Sequence, residues 1–184
     1  NTMNYTSRII SLNDGRTAIM QSPTAAHAEQ MIAYMKAMSA ETECVGRYPE
    51  EITETEEFEA QLLSSTLTSS NSVQISVLMD GIIAANATIA PYSSRIKFRH
   101  RAVFGIAVLK RYWSLGMGRL LTEACIQCAK DMGYLQIELT ALEDNAKGIS
   151  LYKSVGFEQW GRLEGGSHLK DGSTKTEIYM VKYL

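Results

Sequence analysis

Between Phe104 and Leu121 the chain runs from an apolar stretch into Lys110 and Arg111, then through Gly116-Met-Gly118 and on to Arg119-Leu-Leu. Residues of these types in this order make an anion cradle. The apolar stretch reads as a strand, the glycines as a tight turn, and the residues after them as an amphipathic helix. The first amides of a helix have no partner inside it, point outward, and carry about half a positive charge from the helix dipole. Glycine lets a phosphate approach the backbone where a Cβ would stand in the way. Lys110, Arg111 and Arg119 add positive charge, and the next acid is Glu123. The chemistry implied is the binding of something phosphorylated.

Further along stand Asn145 and Tyr152. Asn145 is placed to cap a helix. Tyr152 can pack that helix on a sheet, or its phenol, with an ordinary pKa of about 10, can protonate a leaving group. His100 carries the other candidate proton carrier, an imidazole of ordinary pKa about 6.5, between Arg99 and Arg101. Cys125-Ile-Gln-Cys128 has redox spacing but falls on the inward face of a helix with no second pair, which points to core packing. His27 and His168 are isolated, and no serine sits in a Gly-x-Ser-x-Gly turn.

The elements that must position these residues are read from hydrophobic periodicity. Arg8–Ser11 and Thr17–Gln21 read as strands around Asn13-Asp14-Gly15, and Thr24 caps a helix with Met31, Ile32, Met35 and Met38 on one stripe. Residues 41–59 hold eight of the chain's twenty acids against one base, Arg47. They read as a solvated face that includes a second helix from about Thr53, or as a lip attracting cations. Val73–Met79 and Ile82–Ala90 flank Asp80-Gly81, a two-residue hairpin signal. A long strand is expected from about Ile96 to Val108, then the helix after Gly118 to near Gly133, a strand at Leu135–Leu142, and a helix from Asn145 to about Val155. A hairpin, Phe157–Ser167 with Thr174–Tyr183, closes the chain.

The 184 residues, 45% hydrophobic, suit one domain spanning 1–184 with a full core. A net charge of −2 argues against general nucleic-acid binding. No apolar run approaches the roughly 20 residues that span a bilayer, and no secretory leader is visible. With three cysteines, an odd number, a reducing cytoplasmic location is expected and a membrane is not.

Val108 with Gly116-x-Gly118, followed by Asn145-x(6)-Tyr152-x(3)-Gly156-Phe157 in this order of elements, resembles the GNAT superfamily of N-acetyltransferases. The distinctive segment runs from about Phe104 to Lys182; the first hundred residues agree in element order alone. The resemblance implies an α/β (α+β) fold: a mixed, mostly antiparallel sheet of about seven strands, helices on both faces, and a V-shaped splay between the two central strands. Acetyl-CoA would lie in that splay as co-substrate, with no metal. Backbone groups of Ile106, Ala107 and Val108 would meet the pantetheine arm. The amides of Trp113, Ser114, Leu115, Gly116, Met117, Gly118 and Arg119 would hold the pyrophosphate, and Asn145 would bond the arm from the opposite helix. Tyr152 would protonate the departing thiolate, and a backbone N–H near Ile106 or Ala107 would meet the developing oxyanion.

Two positions depart from the commonest family pattern. Trp113 stands where Arg or Gln is usual, and Ala102 stands where some members carry a carboxylate or His to deprotonate the amine. His100 is the substitute base, with Glu41, Glu43 or water as rivals. The acceptor expected is a small-molecule or peptide amine, cationic if the acidic 41–59 region acts as a lip. The runner-up is a non-catalytic acyl-CoA-binding sensor or assembly module. A dinucleotide-dependent oxidoreductase fits poorly, since Gly-x-Gly-x-x-Gly is missing. A homodimer through the edge of the closing hairpin is a further expectation.

Overall fold

Asp80 and Gly81 both take positive φ, 54° and 75°, and turn the chain tightly between two apolar strands. The computed structural model describes residues 2–3 and 5–184. The hairpin closed by this turn, β3 (Val73–Met79) and β4 (Ile82–Pro91), lies mid-sheet. On its outer side come β2 (Thr17–Gln21) and β1 (Arg8–Ser11). On its inner side come β5 (Arg101–Val108), β6 (Gln136–Leu142), β8 (Thr174–Tyr183) and β7 (Glu158–His168). The eight strands run in the order β1-β2-β3-β4-β5-β6-β8-β7, one more than the seven expected, because both arms of the short N-terminal hairpin join the same sheet. All neighbours are antiparallel except β5 and β6.

Four helices cover the sheet: α1 (Ala28–Glu41), α2 (Glu56–Leu67), α3 (Met117–Asp131) and α4 (Ala146–Ser154). α1 lies over the face bearing Gln74 and Ala107, reached by Met31 Sδ and the Tyr34 hydroxyl. α4 packs on the other face, where Tyr152 meets Phe104 and Phe157 with ring centroids 6.0–6.3 Å apart. The core is one apolar cluster in which Met20, Ile75, Val77, Leu121, Ile137 and Met180 are fully buried. Cys125 and Cys128 belong to it as free thiols whose pKa values burial pushes up. No described helix is long and apolar enough to cross a membrane.

β5 is shorter than its sequence pattern. Residues 96–100 alternate apolar and basic as a strand would, but they form consecutive turns, closed by Phe98 N–H to Arg95 C=O and Arg101 N–H to Phe98 C=O. Arg95, Lys97 and Arg99 are exposed there, so alternation reports solvated charges rather than a buried face.

The central pair then separates. β5 and β6 share three positions, Arg101↔Gln136 to Val103↔Glu138, and no more. Beyond Glu138, β6 stays with β8 through Leu142↔Glu177, while β5 stays with β4 through Val108↔Ala85. The closed end is stapled by Arg101, whose Nε and Nη2 donate to both Glu138 carboxylate oxygens at 2.8 and 2.7 Å and whose guanidinium lies 3.7 Å from the Tyr92 ring centre. Glu138→Ala removes this half-buried bidentate pair, and urea denaturation is expected to show a loss of about 1–2 kcal/mol.

Candidate active site

The separation leaves backbone groups without strand partners. Leu109 N–H donates to Ala84 C=O at 2.9 Å, so alternation along the antiparallel ladder turns the amides of Leu109, Ala107, Gly105 and Val103 toward β4. Those of Phe104, Ile106 and Val108 face the gap. Across it the 139–142 edge of β6 is equally open. The result is a cleft of about 520 Å³ lined by Phe104 to Val108, by Leu139, Thr140 and Ala141, and by residues of the surrounding loops and helices.

At the mouth, Gly116 (φ 93°) forms the N-cap of α3, and Ser114, a non-glycine residue, also has positive φ (64°). The N–H groups of Met117, Gly118 and Arg119 precede the first intrahelical bond, Leu120 N–H to Gly116 C=O, and have no helical partner. Lys147 Nζ stands 3.5 Å from Ser114 Oγ. The Arg119 guanidinium bridges Ser154 Oγ (2.7 Å) and Glu123 (3.4 Å). Strand end, left-handed turn and orphan amides beside cations suit a pyrophosphate, and a pantetheine arm can add to the open edge of β5 as a strand would. The donor set therefore fits a coenzyme A thioester.

Several residues hold this arrangement. The Asn145 side chain caps α4 by accepting from Gly148 N–H at 3.1 Å; a Cβ on Gly148 would lie 2.5 Å from Asn145 Nδ2, so this cap requires glycine three residues on. Trp113 donates its indole N–H to Val108 C=O at 2.7 Å and thereby folds the loop back on the strand end. The Tyr34 hydroxyl donates to Ala107 C=O at 2.7 Å. Tyr152 lines the cleft, its ring buried against Phe104 and Phe157, and burial pushes its pKa up to about 12.

Residues 33–157 match the acetyltransferase (GNAT) family. The chain belongs to the GNAT family of acetyltransferases. It is 32% identical over 113 residues to the L-amino acid N-acetyltransferase AaaT of Escherichia coli K12, a stretch covering 59% of this chain and 67% of that protein. Its fold superposes on a GNAT-family acetyltransferase from Streptococcus pneumoniae with a TM-score of 0.86 and 26% identity, covering 91% of this chain and 99% of that one. A phosphinothricin acetyltransferase from Sinorhizobium meliloti in complex with acetyl-CoA superposes at 0.78 and 16% identity, over 91% of this chain and 88% of that one.

Within this GNAT fold the sequence-based candidates divide. Ile106, Ala107, Val108, Trp113, Ser114, Gly116, Met117, Gly118, Asn145 and Tyr152 all line the cleft; Leu115 and Arg119 border it. His100 is not brought there. It lies in the turn before β5, its C=O accepting from Leu135 N–H at the closed end, about 20 Å down the strand from Ile106 at about 3.3 Å per residue. Glu41 accepts from Lys110 N–H at 2.9 Å and neither it nor Glu43 lines the cleft. Of the other acids in 41–59, Glu50 pairs with Lys170, Glu51 accepts from Tyr48 N–H, Glu54 pairs with Arg47 and Glu59 is buried. Those contacts account for much of the acidic run.

One supporting residue escaped sequence reasoning. Asn13, read as a turn residue, donates through Nδ2 to Ser114 C=O (3.2 Å) and through its backbone N–H to Leu115 C=O (3.0 Å). It braces the loop before α3 from 101 positions away, and local sequence carries no sign of that. Gly116 meets the same side chain: a Cβ there would lie 3.1 Å from Asn13 Oδ1, on a backbone already at φ 93°. Gly116→Ala is expected to cost about 1–2 kcal/mol in thermal unfolding and to weaken coenzyme A binding measured by calorimetry.

Proposed function

We propose that this chain transfers an acetyl group from acetyl-CoA directly to a primary amine, with Tyr152 as general acid. The observation that carries the reading is the splay of β5 from β6, which ends at the orphan amides of α3 and has Tyr152 on its wall. Acetyl-CoA supplies an activated acyl thioester when bound. Ile106 offers the backbone N–H that faces the gap, whereas the Ala107 amide is spent on β4; Ile106 is therefore the donor to the carbonyl oxygen as charge develops there. Holding thioester and amine together in the cleft replaces a bimolecular collision by a step within one complex. Tyr152 keeps its proton through the neutral range because burial opposes the phenolate, so it is charged with a proton when thiolate leaves.

The acceptor amine arrives without an evident base. Among the described residues no carboxylate or imidazole lines the cleft, so the amine enters already neutral, having lost its proton to water. Selection by positive charge is not supported: Thr42 and Cys44 to Gly46 of the acidic segment line the cleft, but none of its carboxylates does. The L-amino acid N-acetyltransferase relative makes amino acids the first acceptors to test. The missing base also favours the second reading, coenzyme A binding without transfer, and release of free thiol with an amine panel decides between them.

Tyr152→Phe is expected to lower kcat by about a hundredfold or more while coenzyme A affinity holds; full turnover would remove the general-acid role. In the unsubstituted protein kcat/KM should climb with pH toward the acceptor's own pKa. No falling limb is expected below about pH 10, the ordinary phenol value, because the Tyr152 pKa is raised. His100→Ala should leave that profile where it is.

A further inference from the structure

The sheet face under α1 is polar along one row. The register sets Ser76 beside Asn86 and Gln74 beside Thr88, then Asn86 beside Ala107 and Thr88 beside Gly105. Side chains at these positions stand on the same face. Asn86 Oδ1 accepts from Ser76 Oγ at 2.8 Å and from Gln74 Nε2 at 3.2 Å. Ser76 is fully buried, so this support is built into the sheet. With two donors on the oxygen, the Asn86 NH2 is left for the cleft that Asn86 lines, and no hydrogen bond among the described residues uses it. Thr88 lines the cleft beside it. On β5 the same row is Gly105 and Ala107, and a Cβ on Gly105 would come within 3.4 Å of Thr88 Oγ1. The small residues keep both donors uncovered.

We propose that Asn86 Nδ2 and Thr88 Oγ1 form an acceptor subsite for an oxygen carried beside the reacting amine: the carboxylate of a free amino acid or the carbonyl of an aminoacyl amide or peptide N-terminus. This rests on the transfer reading above. The row lies on the α1 face, opposite the Phe104–Tyr152 face, so an acceptor seated on it meets the thioester across the open edge of β5. The cleft's one formally charged side chain among the described residues, Lys147, stands at the anion-loop end beside Ser114. Neutral donors without a carboxylate offer nothing to a polycation. They do pair with a carbonyl or, more strongly, with a carboxylate. A substrate lacking that oxygen leaves desolvated donors unpaired, which is how a polar site rejects a near-isostere.

The test uses the full chain with acetyl-CoA and reads thiol release from matched sets. L-leucine, L-methionine and L-phenylalanine are each compared with their amides and with the corresponding decarboxylated amines. The oxygen-bearing members should exceed the bare amines in kcat/KM by about 10–100-fold, within what one unpaired polar group costs. Preference for the free acid names the carboxylate as ligand, and preference for the amide names the peptide carbonyl. Asn86→Asp retains the oxygen that Ser76 and Gln74 contact but replaces the donor with an anion. The acid-to-amine ratio should fall to about one or below, with the KM of the acid rising more than kcat falls. Thr88→Val, isosteric and uncharged, should lower the ratio several-fold and carries the test should Asn86→Asp fail to bind coenzyme A. Bare amines used as well as amino acids and amides, or a ratio that survives both substitutions, overturns the subsite and leaves transfer standing. Turnover with spermine alone does the same. No thiol release from any acceptor, spermine included, takes the transfer reading down as well.

Discussion

Everything functional here depends on the loss of hydrogen bonding between two strands after three residues. A parallel pair that continued past Val103 and Glu138 would satisfy its backbone internally and leave no room for a ligand. The edge stays open because each strand has a stronger claim on its other side. β6 is laddered to β8 over seven positions and β5 to β4 over seven. The gap therefore costs the sheet few contacts, and the amides and carbonyls along it have no strand partner. Arg101 on Glu138 staples the paired end, and Phe104, Tyr152 and Phe157 pack beside the point where pairing stops.

Charge is distributed to match. From Gly81 to Thr122 the chain carries no acid, and the basic residues at the open end of β5 sit next to the helix start that needs anions. The acidic run 41–59 balances this in the total but is engaged locally. Glu41 is the informative case: by accepting from Lys110 N–H it ties the end of α1 to the loop after β5, so this acid serves the geometry of that loop. Tyr34, about two helix turns before it, holds the same strand at Ala107. α1 thus fixes β5 from the face opposite Tyr152.

Much of the fold was legible because its signals are local. Asp80-Gly81 forces a tight turn, the apolar stripe of α3 comes directly after its glycines, and Asn145 caps α4 as its type and place suggest. The strand, the glycine turn and the start of α3 were legible for the same reason, since they are contiguous. Residues 96–100 misled: solvated Arg95, Lys97 and Arg99 alternating with apolar side chains imitate a strand, and a period of two cannot tell a buried face from an exposed turn. His100 lies at the closed end, where its C=O accepts from Leu135 N–H, and a longer strand would not have carried it to the cleft.

Local sequence carries the free amides at the start of α3 and the Asn145 cap of α4, since capping, turn chemistry and hydrophobic period act over a few residues. What faces the cleft follows instead from contacts between elements distant in the chain. Asn13 reaches Ser114, Trp113 folds onto Val108, Asn86 is held by Ser76 and Gln74, and Glu41 is drawn to Lys110. Each depends on contacts between different elements, and a side chain's partner there is set by strand register and helix placement, which no neighbouring residue encodes.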